Sequence, residues 1–162
     1  RTPDREELLQ FSDTLFSTNA WLVGRRDKTP DLGSVEELAG HTVCMARGMK
    51  VSPAFDQGAN RDFGITHGAD DRMRVRMLLG HRCDVAVVAH RSRRPEAVMQ
   101  RLQVLGLPTA ELRVLSSTPL VSMPVGLAVA KDSPLAPLMA RINEGIRRKT
   151  PDIRALIERD LG

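Results

Sequence analysis

Residues 70–89, DDRMRVRMLLGHRCDVAVVA, decide the fold class, because a helical pattern runs directly into the pattern of a buried strand. Residues Asp70 to Gly80 are predicted to be helical, with Gly80 as the residue that ends the helix. A strand is predicted at 83–89, where Val85–Val88 is continuously apolar, as in strands buried on both faces. The predicted apolar face of the helix consists of Met73, Met77 and Leu78.

The same alternation of helix and strand extends in both directions from this stretch. Repeated strand–helix–strand units predict a parallel sheet with helices on its faces, so the fold class is α/β. Such sheets bind ligands at the carboxyl ends of their strands. The other predicted strands are residues 21–23, 42–46, 63–66, 112–115 and 125–129, and the other predicted helices are residues 5–10, 34–40, 95–105, 134–149 and 153–161.

The chain of 162 residues has a net charge of +4, yet its composition argues against a surface for nucleic acid. It contains four Phe, one Trp and no Tyr, whereas a platform for single strands needs aromatic side chains on which bases stack. Its basic residues also alternate with acidic ones, as on an ordinary solvated face. No run of about 18 apolar residues occurs, so the sequence predicts neither a nucleic-acid partner nor direct insertion into a membrane.

Motifs for metal and cofactor binding are missing from the sequence. The four His and two Cys are scattered, with no His pair at the spacing of a helical metal site and no CxxC. The glycine-rich signatures of a P-loop, a dinucleotide loop and a hydrolase elbow are also missing. The sequence therefore predicts no metal, no cofactor and no catalytic residue.

The two cysteines, Cys44 and Cys83, fall in two strands that are predicted to be neighbours. A bridge between adjacent strands of one sheet is geometrically awkward, so two buried thiols are the favoured interpretation. A disulfide, formed in an oxidising compartment, is the alternative.

Basic residues near the predicted ends of elements are candidates for holding an anion. Arg5 lies near a helix start, and a guanidinium can hold a carboxylate through two parallel hydrogen bonds. The alternative for Arg5 is a surface ion pair with Asp4 or Glu6. Two further groups follow neighbouring strands at one edge of the predicted sheet, where a plain strand-to-helix turn is the alternative to an anion site: Arg47, Gly48, Met49 and Lys50, and then Ala89 and His90.

Four segments and the tail resemble the family 3 extracellular solute-binding proteins, the polar amino-acid receptors of ABC importers. Residues 2–13 are similar to the family's T-P-E-R and F-S-x-P-Y segments, and residues 38–43 to its D-L-K-G-K-T-V. Residues 80–87 resemble its G-R-V-D-A-V-V, and residues 126–135 its G-I-A-V-x-K-D-S-P-L. The tail at 142–161 is similar to the family's closing helices, so the matches run in order over almost the whole chain.

This resemblance implies a type II periplasmic-binding fold, in which two α/β lobes are joined by two crossing strands and a ligand lies in the cleft. Lobe 1 would comprise residues 1–14 and 126–162, and lobe 2 residues 20–120. The crossings would lie at about 15–19 and about 121–125. The resemblance also implies that lobe 1 begins upstream of this sequence and is incomplete in it.

The resemblance assigns binding roles to several residues. Arg5 matches the Arg that holds the ligand's α-carboxylate, and Gly48 matches the Gly of a turn whose hydroxyls and N–H groups complete that grip. Met49 and Lys50 stand where the family has the hydroxyls, and Ser52 is the nearest residue that could supply one.

Ala89 occupies the position at which the family places an acid for the ligand's ammonium. A buried ammonium without a counter-charge is costly, so a standard α-amino acid fits poorly. With Arg47, Lys50 and His90 nearby, an acidic solute is the more consistent expectation.

The resemblance implies a periplasmic solute-binding protein that captures a small polar, carboxylate-bearing solute for the membrane permease of an ABC importer. One alternative is the ligand-sensing domain of a membrane signalling protein. Another is an enzyme similar to cyclohexadienyl dehydratases, with Asp56, Asp70 or Asp71 as the general acid. The effector lobes of a transcription regulator, which share the architecture, are a fourth.

Overall fold

The computed structural model describes residues 3–159 and shows the predicted mixture of helices and strands. Three short 3-10 turns lie at Glu36–Leu38, Thr109–Glu111 and Ala136–Leu138. The helices are α1 (Pro3–Leu8), α2 (Pro53–Gly58), α3 (Asp71–Leu79), α4 (Pro95–Val104) and α5 (Met139–Arg159). The strands are β1 (Leu9–Phe11), β2 (Phe16–Arg25), β3 (Thr42–Met45), β4 (Gly64–His67), β5 (Val85–His90), β6 (Leu112–Val114), β7 (Val121–Val125) and β8 (Ala128–Ala130).

The chain divides into two units. The larger unit is continuous and spans residues 19–123, and the smaller one is built from the segments on either side of it. The lobe boundaries expected from the resemblance, and the hinge role of residues 15–19 and 121–125, stay predictions.

The larger unit is built on one mixed sheet with the strand order β4-β3-β5-β2-β6, and β7 also pairs with β2. Strand β3 runs parallel to both β4 and β5, whereas β2 runs antiparallel to β5 and β6. The carboxyl ends of β3, β4 and β5 therefore lie at the same edge, as the alternating pattern predicts.

Each face of this sheet carries its own hydrophobic cluster, because successive residues of a strand point to opposite faces. On one face Leu22, Val43 and Val87 pack with Phe55 of α2. On the other face Trp21, Val88 and Cys44 pack with residues of α3 and α4 such as Leu78 and Leu102. The two faces are named the α2 face and the α3/α4 face below.

Helix α3 is stopped at Gly80 as predicted, and two residues of its predicted apolar face pack into the core: Leu78 is buried, and Met77 is partly buried against the cluster of the α3/α4 face. The Asp70 carboxylate accepts a hydrogen bond from the Met73 N–H at 2.7 Å, and Gly80 follows the last turn. The residues of α3 that are buried are Arg74, Val75 and Leu78, while Met73 is 47% exposed. The prediction for Met73 is wrong, because that residue lies about 200° around the helix from Val75.

Residues 34–40 form a single 3-10 turn at Glu36–Leu38 rather than the predicted helix. The predicted capping pair is nevertheless present: Ser34 Oγ accepts from the Glu37 N–H at 3.4 Å, and Glu37 Oε2 accepts from the Ser34 N–H at 3.0 Å. The backbone N–H of Gly33, which donates to Glu37 Oε2 at 2.6 Å, and then that of Ser34 lower the pKa of Glu37 below its ordinary value. The turn ends at Gly40, whose φ of +78° a residue with a side chain rarely adopts.

The smaller unit contains a two-stranded antiparallel sheet, in which Leu9 of β1 pairs with Ala130 of β8. The predicted helix at 5–10 is wrong at its end, because α1 stops at Leu8 and the chain continues as β1. The predicted strand at 125–129 is divided. Between the two strands, the Ser12 N–H donates to the Leu127 carbonyl at 2.9 Å, and the Leu127 N–H donates to Ser12 Oγ at 2.9 Å.

The two predicted C-terminal helices at 134–149 and 153–161 are one helix, α5, within the part of the chain that the structure describes. It continues through Pro151, where Thr150 Oγ1 donates to the Ile146 carbonyl at 2.9 Å. Met139 and Ile146 are the buried residues of α5 and lie on one face of it, two turns apart.

Cys44 and Cys83 form a disulfide, so the favoured interpretation of two thiols is wrong. Cys83 precedes β5, and the residue of β5 in register with Cys44 is Ala86, so this is not a bridge between paired strand positions. The two Cα atoms are 5.8 Å apart, an ordinary separation for a disulfide. The bridge ties β3 to the segment connecting α3 with β5.

Candidate functional site

Three loops follow the carboxyl ends of β3, β4 and β5, and they are called the carboxyl edge below: residues 46–52, 67–70 and 89–94. They carry most of the candidate residues named from the sequence. Seven of the eight lie here: Arg47, Gly48, Met49, Lys50, Ser52, Ala89 and His90.

The eighth, Arg5, lies in α1 of the smaller unit and is exposed.

The loop after β3 turns sharply at Gly48. The Met49 N–H donates to the Ala46 carbonyl at 3.2 Å, and Gly48 has a φ of +72°. No atom lies within 4 Å of the place where a Gly48 side chain would begin, so the positive φ rather than crowding favours glycine. This turn leaves Arg47 exposed to solvent.

Lys50 and Ser52 are both engaged with the start of α2. Lys50 Nζ lies 3.7 Å from Asp56 Oδ2, and this pair is partly exposed to solvent. Ser52 Oγ caps α2 by accepting from the Phe55 N–H at 3.2 Å. The Ser52 hydroxyl retains its proton for donation, so it can still bond an anion as a donor.

The loop after β5 is held by two side chains of β2. Asn19 Nδ2 donates to the carbonyls of Arg91 and Ser92 at 2.9 and 3.1 Å, and Trp21 Nε1 donates to the Ser92 carbonyl at 3.1 Å. Both Asn19 and Trp21 are almost fully buried. The start of the loop is therefore fixed from within the protein.

Ala89 and His90 face opposite sides of the sheet. Val88 belongs to the α3/α4 face, so His90 points to that face as well, and its charged neighbours include Asp71 and Arg101. Ala89 shares the α2 face with Val87 and is exposed.

The imidazole of His90 is set up to be neutral. Its Nδ1 accepts a hydrogen bond from the Ser92 N–H at 3.0 Å, which requires that Nδ1 carries no proton. Burial lowers the pKa of His90 below 6.5, and the guanidinium groups of Arg101 and Arg91 lower it further, while Asp71 opposes them. At neutral pH His90 is therefore a polar group without a full positive charge.

Arg74 fixes the loop between β4 and α3. Its guanidinium donates to the Gly68 carbonyl at 3.0 Å and to Asp71 Oδ1 at 2.5 Å. A Cβ on Gly68 would lie 2.7 Å from Arg74 Cγ. The loop therefore runs too close to Arg74 to leave room for a side chain at position 68. Arg101 lies 3.7 Å from the same Asp71 carboxylate, which is therefore paired on both oxygens.

Sequence reasoning did not identify Asn19, Trp21 and Arg74 as residues that hold these loops. The role of Asn19 could have been predicted from the sequence. Its side-chain amide comes directly before the apolar run Ala20–Val23, and a buried amide needs a hydrogen-bond partner. No signal in the sequence pointed to this role of Arg74, because an Arg in a helix is exposed in most proteins.

No three His, Cys, Asp or Glu side chains within the described residues come together in a way that could hold a metal ion. None of the helices in that same part of the chain is long and apolar enough to cross a membrane.

Comparison with known proteins finds likeness in structure rather than in sequence. No family model matches the chain, and a search among curated proteins gives no match. The solved structures, in contrast, include many that are similar over nearly all of it.

Three of these structures illustrate the match. The GluR0 ligand-binding core in complex with L-glutamate has a TM-score of 0.74 and 20% identity, covering 100% of this chain and 69% of that one. AbpA, an amino-acid ABC transporter substrate-binding protein from Streptococcus pneumoniae bound to L-arginine, has a TM-score of 0.72 and 14% identity, covering 99% and 64%. Holo ArgBP from T. maritima has a TM-score of 0.69 and 22% identity, covering 100% and 66%.

The chain thus spans between 63% and 69% of the length of such neighbours. At these TM-scores the chain shares the fold of these neighbours. The chain therefore has the type II periplasmic-binding-protein fold that the resemblance of its sequence implies.

Proposed function

We propose that the protein is a periplasmic solute-binding protein of the family 3 type, which captures a small polar, carboxylate-bearing solute for the permease of an ABC importer. The observation that carries the proposal is the carboxyl edge, where Arg47 is exposed in the loop between β3 and α2. In open α/β sheets ligands bind at this edge. Arg5 of the smaller unit is proposed as a residue that can hold a carboxylate.

The way in which the loops are held supports binding rather than a purely structural role for this edge. Asn19 and Trp21 fix the loop after β5, and Arg74 fixes the loop after β4. A site whose loops are already ordered loses less conformational entropy when a ligand binds. Binding then shifts a conformational equilibrium that a transport partner can read, with no covalent step.

The disulfide supports the periplasmic location. Structural disulfides form and persist in oxidising compartments and are rare in the cytosol. The buried bridge between Cys44 and Cys83 fits the periplasm for this reason.

The dehydratase alternative receives less support from the candidate acids. Asp56 is paired with Lys50, Asp71 with Arg74, and Asp70 caps α3. A general acid must be able to reach the substrate and donate a proton to it. Each of these three carboxylates instead accepts hydrogen bonds or pairs with a cation of its own unit.

Isothermal titration calorimetry of the 162-residue chain tests the proposal, with its fold verified by circular dichroism. The ligands are the common amino acids and small dicarboxylic acids. We expect saturable binding of at least one carboxylate-bearing solute, and weaker binding by the variants Arg47→Gln and Arg5→Gln. Absence of heat with every ligand, from a folded chain, would overturn the proposal.

A further inference from the structure

Ser92 is the centre of the hydrogen bonds that order the loop after β5. Its N–H donates to His90 Nδ1 at 3.0 Å, and its Oγ accepts from the Arg94 N–H at 3.1 Å. Its carbonyl accepts from Asn19 Nδ2 and from Trp21 Nε1, each at 3.1 Å. Ser92 is only 5% exposed. Every polar atom of this residue is therefore engaged, and the bond to His90 is the one that a change of protonation can break.

The bond between Ser92 and His90 exists only while the imidazole is neutral. An imidazole nitrogen accepts a hydrogen bond when it carries no proton, whereas both nitrogens of an imidazolium are donors. Protonation of Nδ1 therefore sets two N–H groups, those of His90 and Ser92, against each other across 3.0 Å. A buried N–H that loses its acceptor is unfavourable, so movement of the loop away from His90 becomes favourable.

The charged groups that act on His90 come from three elements. Arg91 belongs to the loop itself, Arg101 to α4 and Asp71 to α3. Burial first, and then the guanidinium groups of Arg101 and Arg91, keep the pKa of His90 below 6.5, while Asp71 opposes them. The Asp71 carboxylate is already paired with two guanidinium groups. An imidazolium is therefore more stable once the loop has moved and the ring is exposed to water.

Asn19 presents an acceptor to a protonated His90. The register of β2 with β5 pairs Asn19 with His90, so the two side chains lie on the same face of the sheet. Asn19 Oδ1 is buried, and no donor among the described residues reaches it. The Nδ2 of the same amide holds the carbonyls of Arg91 and Ser92. The amide that orders the loop thus has an unused oxygen on the face to which His90 points.

We propose that His90 and Ser92 form a pH switch, in which protonation of the imidazole at Nδ1 releases Ser92 and opens the loop after β5. The loop is ordered at neutral pH and opens in acid. The switch belongs to the free protein and does not depend on the proposed function. The open loop takes up one proton that the ordered loop excludes. The ratio of open to ordered loop therefore rises by up to about tenfold for each pH unit below about 6.5.

The fluorescence of Trp21 tests the switch. Trp21 is the one Trp of a sequence that has no Tyr, and its Nε1 bonds the Ser92 carbonyl. We expect the emission of the intact chain to shift to longer wavelength between about pH 7.5 and about pH 5, because the indole N–H exchanges the carbonyl for water, while far-UV circular dichroism stays unchanged. No shift in the parent protein would overturn the inference.

Two substitutions at His90 locate the response. In His90→Asn the side-chain oxygen can still accept the Ser92 N–H but does not titrate, so the emission should be that of the ordered loop at every pH. His90→Ala removes the acceptor altogether, so its emission should already be shifted at neutral pH. Circular dichroism verifies that both variants fold. The same pH response in His90→Asn as in the parent protein would contradict the assignment to His90.

Amide exchange followed by NMR separates opening of the loop from unfolding of the larger unit. The reference is the Leu115 N–H, which bonds the Leu22 carbonyl at 2.9 Å within the sheet. At about pH 5 we expect Ser92 to have a protection factor at least about tenfold lower than that of Leu115. Low urea should speed exchange at Leu115 but not at Ser92, because opening a loop exposes little surface. Equal protection and equal response to urea would show that acid unfolds the whole unit, which would overturn the switch.

Discussion

Gly24 is a residue that the packing of the larger unit requires to lack a side chain. A Cβ there would lie 2.6 Å from Thr29 Cβ and 2.8 Å from Leu115 Cδ2. Thr29 cannot easily move, because its Oγ1 accepts from the Arg25 N–H at 3.1 Å and donates to the Asp84 carbonyl at 3.3 Å. We therefore expect Gly24→Ala to lower the free energy of unfolding by about 1–3 kcal/mol, measured by urea denaturation.

Gly33→Ala is the matched control for this substitution. The nearest atom to a Cβ at Gly33 is Ser116 Oγ at 3.5 Å, an ordinary contact, and Gly33 is exposed. Its free energy of unfolding should stay within about 0.5 kcal/mol of the parent protein. Equal effects of the two substitutions would show that crowding around Gly24 is relieved without cost.

His90 should make stability depend on pH in the acidic range. Its pKa is lowered in the folded protein, chiefly by burial, so the unfolded chain binds a proton more readily than the folded one. As far as His90 is concerned, the free energy of unfolding is highest above the ordinary pKa of 6.5. It falls as the pH drops from there through the lower pKa of the folded state. We expect the melting temperature of the parent protein to decrease as the pH falls below about 6.5 for this reason.

His90→Asn isolates this contribution, because its side-chain oxygen can still accept the Ser92 N–H but does not titrate. The melting temperature of the variant should decrease less over the same pH range. All other side chains are the same in both proteins, so their contributions cancel in the comparison. Parallel pH profiles would contradict a role for His90 protonation in stability.

At the scale of elements, the disulfide is the strongest link between β3 and the segment that precedes β5. It joins residues 39 positions apart, and it lies in the cluster where α3 and α4 pack on the sheet. Closing a loop of this length restricts the unfolded chain and is expected to contribute about 2–4 kcal/mol to the free energy of unfolding. Reduction should therefore lower the urea midpoint by the corresponding amount.

The double variant Cys44→Ala/Cys83→Ala is the control for reduction. Its urea midpoint should be close to that of the reduced parent protein, and a reductant should not change that midpoint. If the parent protein has the same midpoint with and without reductant, while thiol labelling of the unfolded chain verifies reduction, the bridge contributes no stability.

Element boundaries show where local patterns are reliable. The stop of α3 at Gly80 and the capping pair of Ser34 and Glu37 form as predicted, because each depends on atoms within a few residues. The length of the helix that follows such a signal depends less on neighbouring residues alone. Residues 34–40 make only a 3-10 turn, and α5 continues through Pro151, so the local signals did not set where these two elements end.

At the scale of the whole molecule, the two units differ in how much apolar surface they bury. Both hydrophobic clusters lie within residues 19–123. In the smaller unit, the buried apolar side chains of the described residues are those of Met139 and Ile146, and its sheet has two strands. An isolated pair of strands is marginal in stability, so the smaller unit should open more easily than the larger one.

Hydrogen–deuterium exchange of the intact chain measures this difference. We expect backbone amides of β1, β8 and α5 to exchange at least about tenfold faster than those of β3, β5 and α4, as for regions with few buried apolar contacts. A ligand of the carboxyl edge should slow exchange in residues 46–52 and 89–92. Equal protection of both units would show that they unfold together.

The sequence by itself determined the fold class, the positions of β3, α3, β5 and α4, and the edge at which the candidate residues gather. These features follow from hydrophobic periodicity and from caps, which act over a few neighbouring residues. The parallel pairing of β3 with β5 then brings Arg47 and Ala89 to the same edge.

Only the tertiary structure decided the disulfide, the direction of His90 and the pairing of each acid at the edge. Cys83 lies before β5 rather than in it, and that displacement out of the strand allows the bridge to Cys44. His90 and Ala89 are adjacent in sequence, yet the alternation of the strand sends them to opposite faces with different charged neighbours. Long-range contacts set these properties, because the distance between two side chains depends on how the sheet and its helices pack and not on their separation along the chain.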